Sequence, residues 1–306
     1  MDSFIVAEGV KQVYAGGTVA LDDVSLEIGT GLFGLLGSNG AGKSTLMRII
    51  CTLLVPTRGR VTVGGFDVVT QRREVRRLFG YLPQKFGAWR LHTVKEVLDT
   101  LATLSGLYDR GTRRRRVEAV LEEVGLAQVA DRKVKHLSGG MTRRLGVAQA
   151  LVHEPKVLIV DEPTVGLDPE ERLRFRQLMA ELGRDRVIVL STHIVADLGS
   201  GCREIALLDR GNLAFRGAPA QLLAMAAGRV IEVSMREGAE PELAGRMELV
   251  ARRPAAGEIV LRGVLREGDA PAGARVVDDI KLEEAYLAFM VGRGRSVVDL
   301  DTADTV

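Results

Sequence analysis

The chain has 306 residues, 46% of them hydrophobic and 27% charged, which is typical of a globular protein of one large domain or two. A net charge of +2 is too small to indicate a nucleic-acid partner, and Cys51 and Cys202 lack metal-ligand spacing and are expected to be reduced thiols of a cytosolic protein. No apolar run reaches the length of a membrane span and the N-terminus is not a signal peptide, so if this protein works at a membrane, something else must hold it there.

The first third of the chain predicts strands followed by a helix. Residues 4–28 predict two or three short strands, interrupted at Tyr14 where Ala-Gly-Gly follows. The apolar run Gly31 to Leu36 predicts a buried strand, and residues 45–54 carry apolar side chains at helical spacing. Between them lies GSNGAGKST, Gly37 to Thr45, which fits the pattern of a glycine, four residues and then Gly-Lys-Ser.

A strand, a glycine-rich loop and a helix form the context that a phosphate-binding loop requires. Gly37, Gly40 and Gly42 let the backbone curl so that successive N–H groups point at phosphate oxygens, and the helix adds the positive end of its dipole. Lys43 is then expected to contact the β- and γ-phosphates, and the Ser44 hydroxyl to bind Mg²⁺. The loop therefore predicts nucleotide binding.

The next segments predict a hairpin, a strand and a helical region. Residues 59–68 predict a hairpin that turns at Gly64-Gly65, and residues 78–84 a short strand. Residues 93–134 have a helical pattern that begins with a capping box. Within it, the run Arg113 to Arg116 has two interpretations. It could bind phospholipid head groups or an acidic partner, or it could simply form a solvated face of a helix.

The stretch LSGGMTRRLGVAQAL, Leu137 to Leu151, predicts a helix with an unusual start. Ser138 can cap the helix, and Gly139 and Gly140 in its first turn would expose N–H groups toward an anion. From the residues alone, two glycines at this point are equally consistent with a tight turn.

Two carboxylates follow the apolar run of residues 157–160. Asp161 is suited to hold Mg²⁺ through water, and Glu162 can polarise an attacking water, because ligands bind at the carboxyl ends of strands in open α/β sheets. Asp168 and Pro169 then predict the start of a helix that runs to about Leu182. Residues 186–193 predict a further buried strand.

The remaining chain predicts a hairpin at 203–217 and a short helix near Leu222. Strands that alternate with helices indicate an α/β fold with a largely parallel sheet. After a boundary near residues 226–229 we expect three short strands, at 229–235, 258–264 and 274–280, one helix at 282–290, and a frayed end at 296–306.

These motifs resemble, in kind and in order, the ATP-binding cassette of ABC transporters, over residues 1 to about 225. The matching features are the adenine-stacking aromatic at Tyr14, the Walker A loop at Gly37 to Thr45, the Q-loop glutamine at Gln84, the signature at Leu137 to Met141, the Walker B strand at Val157 to Asp161, the catalytic base at Glu162, the D-loop at Gly166 to Pro169 and the switch histidine at His193.

The resemblance implies a P-loop NTPase core with a parallel sheet, an antiparallel β subdomain and a helical insert at about 85–150. This ATP-binding domain would span residues 1–227, and a small α+β accessory domain would span 228–306. The family's cofactors are ATP and Mg²⁺, and its cassettes pair head to tail as two copies, each ATP lying between Walker A of one copy and the signature of the other.

By resemblance, hydrolysis depends on Glu162, His193, Lys43 and Gln84, and Mg²⁺ is held by Ser44, Gln84 and Asp161. The implied nucleotide contacts are Tyr14, Gly37, Ser38, Asn39, Gly40, Ala41, Gly42, Lys43, Ser44 and Thr45, with Ser138, Gly139 and Gly140 facing the γ-phosphate bound by the partner copy, and Asp168 at the interface. Met141 replaces the family's usual glutamine, which removes a side-chain hydrogen bond but leaves the backbone contacts to phosphate.

LSGGM followed, after Thr142, by Arg-Arg-Leu is similar to cassettes of exporters for drugs, antibiotics and polysaccharides. The resemblance therefore implies an ATPase that powers a separate transmembrane permease from the cytoplasmic face of the membrane. Phe86 and Trp89 are candidates for the permease contact, and the alternative is that these aromatics pack in the cassette's own core. The rival functions are a soluble ABC-type ATPase that acts on ribosomes or DNA and an inert nucleotide-gated module.

Overall fold

A computed structural model describes residues 4–198, 201–236, 245–255, 258–266 and 270–295. Within these residues the chain forms two compact units. The first comprises the described residues up to 193 together with 201–216, and the second comprises 194–198 and the described residues from 217 onward. The division predicted between residues 227 and 228 stays a prediction. The second compact unit begins earlier in the chain, and it contains a helix that precedes residue 227.

The strands and helices up to residue 217 follow the predicted alternation. The strands are β1 (Ile5–Val13), β2 (Val19–Ile28), β3 (Gly31–Leu36), β4 (Arg58–Val63), β5 (Phe66–Asp67), β6 (Phe79–Leu82), β7 (Val157–Asp161), β8 (Val187–Thr192), β9 (Cys202–Asp209) and β10 (Asn212–Gly217). The helices are α1 (Lys43–Ile50), α2 (Arg72–Leu78), α3 (Val94–Leu104), α4 (Arg110–Glu123), α5 (Gly139–Leu151) and α6 (Pro169–Leu182).

A six-stranded sheet in the order β10-β9-β3-β8-β7-β6 is the centre of the first unit. The pairs β3–β8, β3–β9, β7–β8 and β6–β7 are all parallel. Every residue of β3, β7 and β8 is buried, as expected for parallel strands covered on both faces, which read as continuous apolar runs. The carboxyl ends of these strands therefore meet at one edge, which positions the site described below.

A second, antiparallel sheet in the order β2-β1-β4-β5 shares an apolar core with β3 and α1. The predicted turn at Gly64-Gly65 joins β4 to β5, and both glycines have positive φ, at 57° and 84°. The predicted fold class, a P-loop NTPase core with a parallel sheet and an antiparallel subdomain, is confirmed.

The helical insert differs in detail from the prediction. The predicted capping box is present, because the Thr93 N–H donates to Glu96 Oε2 (2.7 Å) and the Glu96 N–H donates to Thr93 Oγ1 (3.2 Å). The helical pattern of residues 93–134 divides into α3, α4 and two short 3₁₀ turns. Helix α2 was not predicted, because it buries only Val75 and shows no apolar face.

The arginine run of α4 is partly structural. Arg113 donates to Asp99 Oδ1 (2.7 Å), and the half-buried Arg116 donates to the carbonyl of Leu151 (2.6 Å). Arg114 pairs with Glu118 on the same helix. These contacts favour the interpretation of the run as part of a helix surface rather than a lipid-binding patch.

The second unit is a small α+β body. Its elements are α7 (Pro219–Met225), β11 (Val230–Met235), β12 (Met247–Ala255), β13 (Glu258–Leu265), β14 (Arg275–Val276) and α8 (Leu282–Val291). The strands form one sheet in the order β12-β13-β11-β14. The prediction of a strand at 274–280 is wrong except for the two residues of β14. Strand β12 was not predicted. The predicted frayed end at 296–306 lies outside the described residues.

Candidate active site

The loop of Gly37 to Thr45 leaves the carboxyl end of β3 and continues into α1. Gly40 and Gly42 have φ of 77° and 107°, in the left-handed region that favours glycine. A Cβ on Gly42 would lie 2.5 Å from the carbonyl oxygen of Ala20, so this position also excludes any side chain. The predicted order of strand, glycine-rich loop and helix is therefore present.

Lys43 lies beneath this loop and is buried. Its Nζ donates to the carbonyl oxygens of Gly37 (2.6 Å) and Ser38 (3.1 Å) and lies 3.9 Å from Glu162 Oε1. The loop thus presents an ammonium group to the carboxyl edge of the sheet, next to the carboxylate that follows β7.

Glu162 is the point at which the predicted catalytic side chains meet. Gln84 Nε2 donates to Glu162 Oε2 (2.7 Å), and His193 Nδ1 lies 3.3 Å from Oε1. The close approach of the His193 imidazole, supported by the charge of Lys43, holds the pKa of Glu162 below its ordinary value although burial opposes this. The carboxylate is therefore ionised at neutral pH and can accept a proton.

Long-range contacts fix the backbone of Glu162. Its φ of 44° is unusual for a residue with a side chain. The Glu162 N–H donates to the carbonyl of Ser191 (3.0 Å), and its carbonyl accepts a hydrogen bond from Arg143 (3.0 Å). Sequence reasoning did not identify Ser191 or Arg143 as site residues, because neither contact is local in the chain.

Asp161, one residue earlier, has one carboxylate oxygen in use. Ser191 Oγ donates to Asp161 Oδ1 (2.7 Å), and burial raises the pKa of Asp161. In the described residues there is no cluster of three or more His, Cys, Asp or Glu side chains able to hold a metal. Mg²⁺, however, commonly uses one or two carboxylates and completes its shell with substrate phosphates and water. One Asp161 oxygen, the exposed Ser44 hydroxyl and the Gln84 amide oxygen are chemically suited to such an ion.

The Ser138 turn has the predicted geometry. Ser138 Oγ accepts the N–H of Met141 (3.1 Å) and caps α5, whose first residue is Gly139. Ser138 and Gly139 are exposed, whereas Gly140 is buried where a Cβ would collide with the carboxylate of Glu171. Among the residues that the structure describes, no hydrogen bond or ion pair joins Ser138 or Gly139 to the group around Glu162.

The other predicted nucleotide contacts lie at the rim of the site. Tyr14 is half-buried, and its hydroxyl is 3.1 Å from Thr45 Oγ1, which ties it to the start of α1. Asp168 is exposed and caps α6 by accepting the N–H of Glu171 (2.8 Å). Of the remaining loop residues, Asn39 is exposed, Ser38 is half-buried and Ala41 is buried.

The two aromatics after Gln84 have different surroundings. The Phe86 ring packs against Arg143, whose guanidinium carbon lies 5.8 Å from the ring centroid, and against Gly146 of α5. Trp89 is 46% exposed. It borders a cavity of about 370 Å³ with an apolar lining, formed by Gly87, Ala88, Trp89, Val97, Leu101 and Gln149. The half-buried Phe86 thus packs on α5 of its own chain, and the contact alternative remains open for Trp89.

Comparison with known proteins gives matches along most of the chain. The model of the ABC transporter family matches residues 21–165. A probable multidrug ABC transporter ATP-binding protein of Escherichia coli K12, YbhF, is 32% identical over 96% of this chain, which spans 53% of YbhF, about half its length. The Nod factor export ATP-binding protein I of Rhizobium sp. strain N33 is 36% identical, over 74% of this chain and 74% of that protein.

A solved structure is also similar. It is a dimeric post-hydrolysis state of the ATP-binding cassette MJ0796 bound to ADP and Pi, which is 27% identical and superposes with a TM-score of 0.62. The superposition covers 70% of this chain and 98% of MJ0796. Among the described residues, no helix is both long and apolar enough to cross a membrane.

Proposed function

Because the chain belongs to the family of ABC transporter ATP-binding proteins, we propose that it is the ATP-hydrolysing subunit of an exporter whose membrane-spanning part is a separate polypeptide. The observation that carries this proposal is the convergence of Lys43, Gln84 and His193 on the carboxylate of Glu162. A proton acceptor next to a phosphate-binding lysine is what ATP hydrolysis requires.

In this proposal the nucleotide binds along the loop of residues 37–45, with adenine against Tyr14 and the β- and γ-phosphates against Lys43. Glu162 accepts the proton of the attacking water, and its lowered pKa keeps it ionised for that role. His193 and Gln84 orient the carboxylate and the γ-phosphate. Mg²⁺, held by Ser44 and Gln84 and through water by Asp161, would neutralise charge on the phosphate oxygens.

We further propose that two copies pair head to tail. Ser138 and Gly139 expose a capped helix N-terminus, which favours an anion, and within the described residues they contact none of the phosphate-binding groups of their own chain. The γ-phosphate held by Lys43 of the partner copy is the anion that fits. The similar cassette MJ0796 is dimeric in its state bound to ADP and Pi, which supports pairing of two copies.

The membrane partner is proposed to dock on the groove beside Trp89. Its exposed indole and apolar lining are suited to a short amphipathic helix from the permease. Transport rather than a soluble role is supported by the relatives, which are named as transporter and export proteins. The transport substrate is determined by the membrane subunit, as is the location of this chain at the cytoplasmic face of the membrane.

Disulfide crosslinking tests the pairing. A chain with Ser38→Cys and Gly139→Cys, in a Glu162→Gln background that retains ATP, is expected to form crosslinked dimers when ATP and Mg²⁺ are added. A control chain carries Ser38→Cys with Ser105→Cys, because Ser105 is an exposed residue at the end of α3, and it is expected to stay uncrosslinked.

Absence of the crosslink with ATP and Mg²⁺ would overturn the head-to-tail dimer. Equal crosslinking without nucleotide would overturn the proposal that ATP drives pairing. In parallel, phosphate release by the unmodified protein tests hydrolysis itself, and a protein that binds ATP without turnover would be an inert nucleotide-gated module.

A further inference from the structure

Arg143, in the second turn of α5, reaches into the group around Glu162. Its guanidinium donates to three main-chain carbonyls: Nε to Pro163 (2.6 Å), Nη2 to Glu162 (3.0 Å) and Nη1 to Gln84 (3.1 Å). Only 8% of the residue is exposed. Arg143 therefore connects the helix that starts at Ser138 to the two segments that carry the base and its amide partner.

These contacts control the orientation of Glu162 from both sides of its backbone. The Glu162 N–H is bound by the Ser191 carbonyl, and its carbonyl is bound by Arg143, which together hold its left-handed φ of 44°. Arg143 also binds the carbonyl of Gln84, whose side chain donates to the Glu162 carboxylate. One guanidinium thus binds the backbone of both Glu162, which carries the carboxylate, and Gln84, whose amide orients it.

The neighbouring arginine provides a contrast on the same helix. Arg144 points away from the site and donates to the carbonyl of Gly125 (3.0 Å), and its guanidinium lies 4.0 Å from Glu171. Both arginines are charged, consecutive and largely covered. Only Arg143 touches the backbone of Glu162, so Arg144 is a matched control.

We propose that Arg143 is a positioning residue for ATP hydrolysis, which holds Glu162 and Gln84 in the geometry that activates the attacking water and links that geometry to the Ser138 helix. The proposal rests on the hydrolytic function proposed above. Arginine suits this task because its planar fork presents several N–H donors in fixed directions, whereas lysine and glutamine cannot bind three carbonyls in this arrangement.

Steady-state hydrolysis and ATP binding by Arg143→Gln, Arg143→Lys and Arg144→Gln test the proposal. Since a misplacement of about 1 Å at an active site can cost roughly 100-fold in rate, we expect kcat of Arg143→Gln to fall about 10- to 100-fold. Its Kd for ATP is expected to stay within about threefold, because the phosphate-binding loop is untouched. Arg144→Gln is expected to keep kcat within about threefold.

Rates are expressed per ATP-binding site, so partial unfolding does not imitate a loss of kcat. Should Arg143→Gln fail to fold, Arg143→Lys, which retains the charge, is expected to fold and show the same separation of kcat from Kd. A further signature is recovery of kcat, without change in Kd, when methylguanidinium is added to Arg143→Ala.

Two outcomes overturn the inference alone. In one, wild-type and Arg143→Gln proteins hydrolyse ATP at equal rates per site. In the other, kcat and ATP affinity fall together in every Arg143 variant, which indicates a general structural role. A wild-type protein that binds ATP but never releases phosphate would instead overturn the proposed function, and this inference with it.

Discussion

Each of the two units has an arginine that is largely covered, Arg143 with 8% of the residue exposed and Arg262 with 11% of its side chain exposed, and the two arginines have different partners. Arg143 in the first unit donates only to neutral carbonyls near Glu162. Arg262 in the second unit donates mainly to carboxylates: to both oxygens of Glu284 (2.5 and 2.9 Å), to Asp279 Oδ1 (3.3 Å) and to Glu232 (3.4 Å), with one further bond to the main-chain carbonyl of Asp279 (2.8 Å).

The carboxylates differ in the same way. Glu284 is neutralised by a permanent bidentate charge pair. Burial works to raise its pKa, but the hydrogen bonds from Arg262 and from the Lys281 N–H outweigh burial and lower it. Glu162 is instead shared between an amide, an imidazole and a more distant ammonium. The comparison indicates that a buried carboxylate can take part in chemistry when its partners orient it but do not neutralise its charge in a bidentate ion pair.

The largest expected effect is at Glu162. Glu162→Gln removes the proposed proton acceptor while keeping the shape of the side chain, so we expect phosphate release to fall about 1000-fold, within the range for general bases. ATP should still bind and the melting temperature should not fall. The control is Glu170→Gln, the same change on a side chain that is 73% exposed, which should leave turnover unchanged. Retention of more than about a tenth of wild-type turnover would contradict the assignment of Glu162 as base.

The reverse result is expected at Glu284. Glu284→Gln leaves Arg262 with one partner fewer in a buried setting, which should cost about 3 kcal/mol of local stability. Amide hydrogen exchange in β11 and β13 should then accelerate by about two orders of magnitude, read by mass spectrometry, while turnover per folded molecule is unchanged. Asp279→Asn, on a side chain that is 82% exposed, should shift stability by less than about 1 kcal/mol. If Glu284→Gln lowered turnover without faster amide exchange in β11 and β13, the proposed contrast between a structural carboxylate in the second unit and a reactive one in the first would be contradicted.

The Glu284 pair also predicts a pH dependence. Because the pKa of Glu284 is lower in the folded chain than in the unfolded chain, the unfolded chain binds more protons as the solution is acidified. The stabilisation is therefore complete above the unfolded pKa of about 4.3 and is lost as pH falls from there through the lower folded value. Glu284→Gln should exchange its β11 and β13 amides with less dependence on pH in this window. If amide exchange in the Glu284→Gln variant depended on pH as steeply as in the wild-type chain, the assignment of this stabilisation to Glu284 would be contradicted.

The smallest expected effect sharpens the description of the first unit. A Cβ on Gly146 would lie 2.7 Å from atoms of both Leu82 and Phe86, so Gly146→Ala must displace the ring that covers Arg143. We expect a loss of about 1–3 kcal/mol in stability, by denaturant titration, and a lower kcat. Gly111→Ala, also within a helix, meets its nearest atom at 3.4 Å and should be neutral or stabilising. If Gly146→Ala changed stability and kcat no more than Gly111→Ala does, the close contact between α5 and Phe86 would contribute nothing to the stability of the first unit or to turnover.

Sequence was sufficient wherever the chemistry is local. The loop of residues 37–45, the caps at Ser138 and Asp168 and the carboxylates at the end of β7 are all where their patterns predict, because each depends on neighbours within a few residues. The β12 strand was missed since it lies at a sheet edge, contains Pro254 and shows no apolar alternation. Arg143 was not identified as a site residue, because its three carbonyl partners are far away in sequence.

The position of Arg143 near the start of α5 restricts the number of residues that can separate it from Gly140. Helical residues advance by about 100° each, so Arg143 has a fixed angular phase relative to the Ser138 end of the helix. Inserting or deleting one residue between Gly140 and Arg143 would swing the guanidinium away from Glu162 and leave the cap intact. This short interval should therefore tolerate exchange of residues but no change in their number, unlike the exposed turn at Gly106, where a longer chain can be accommodated.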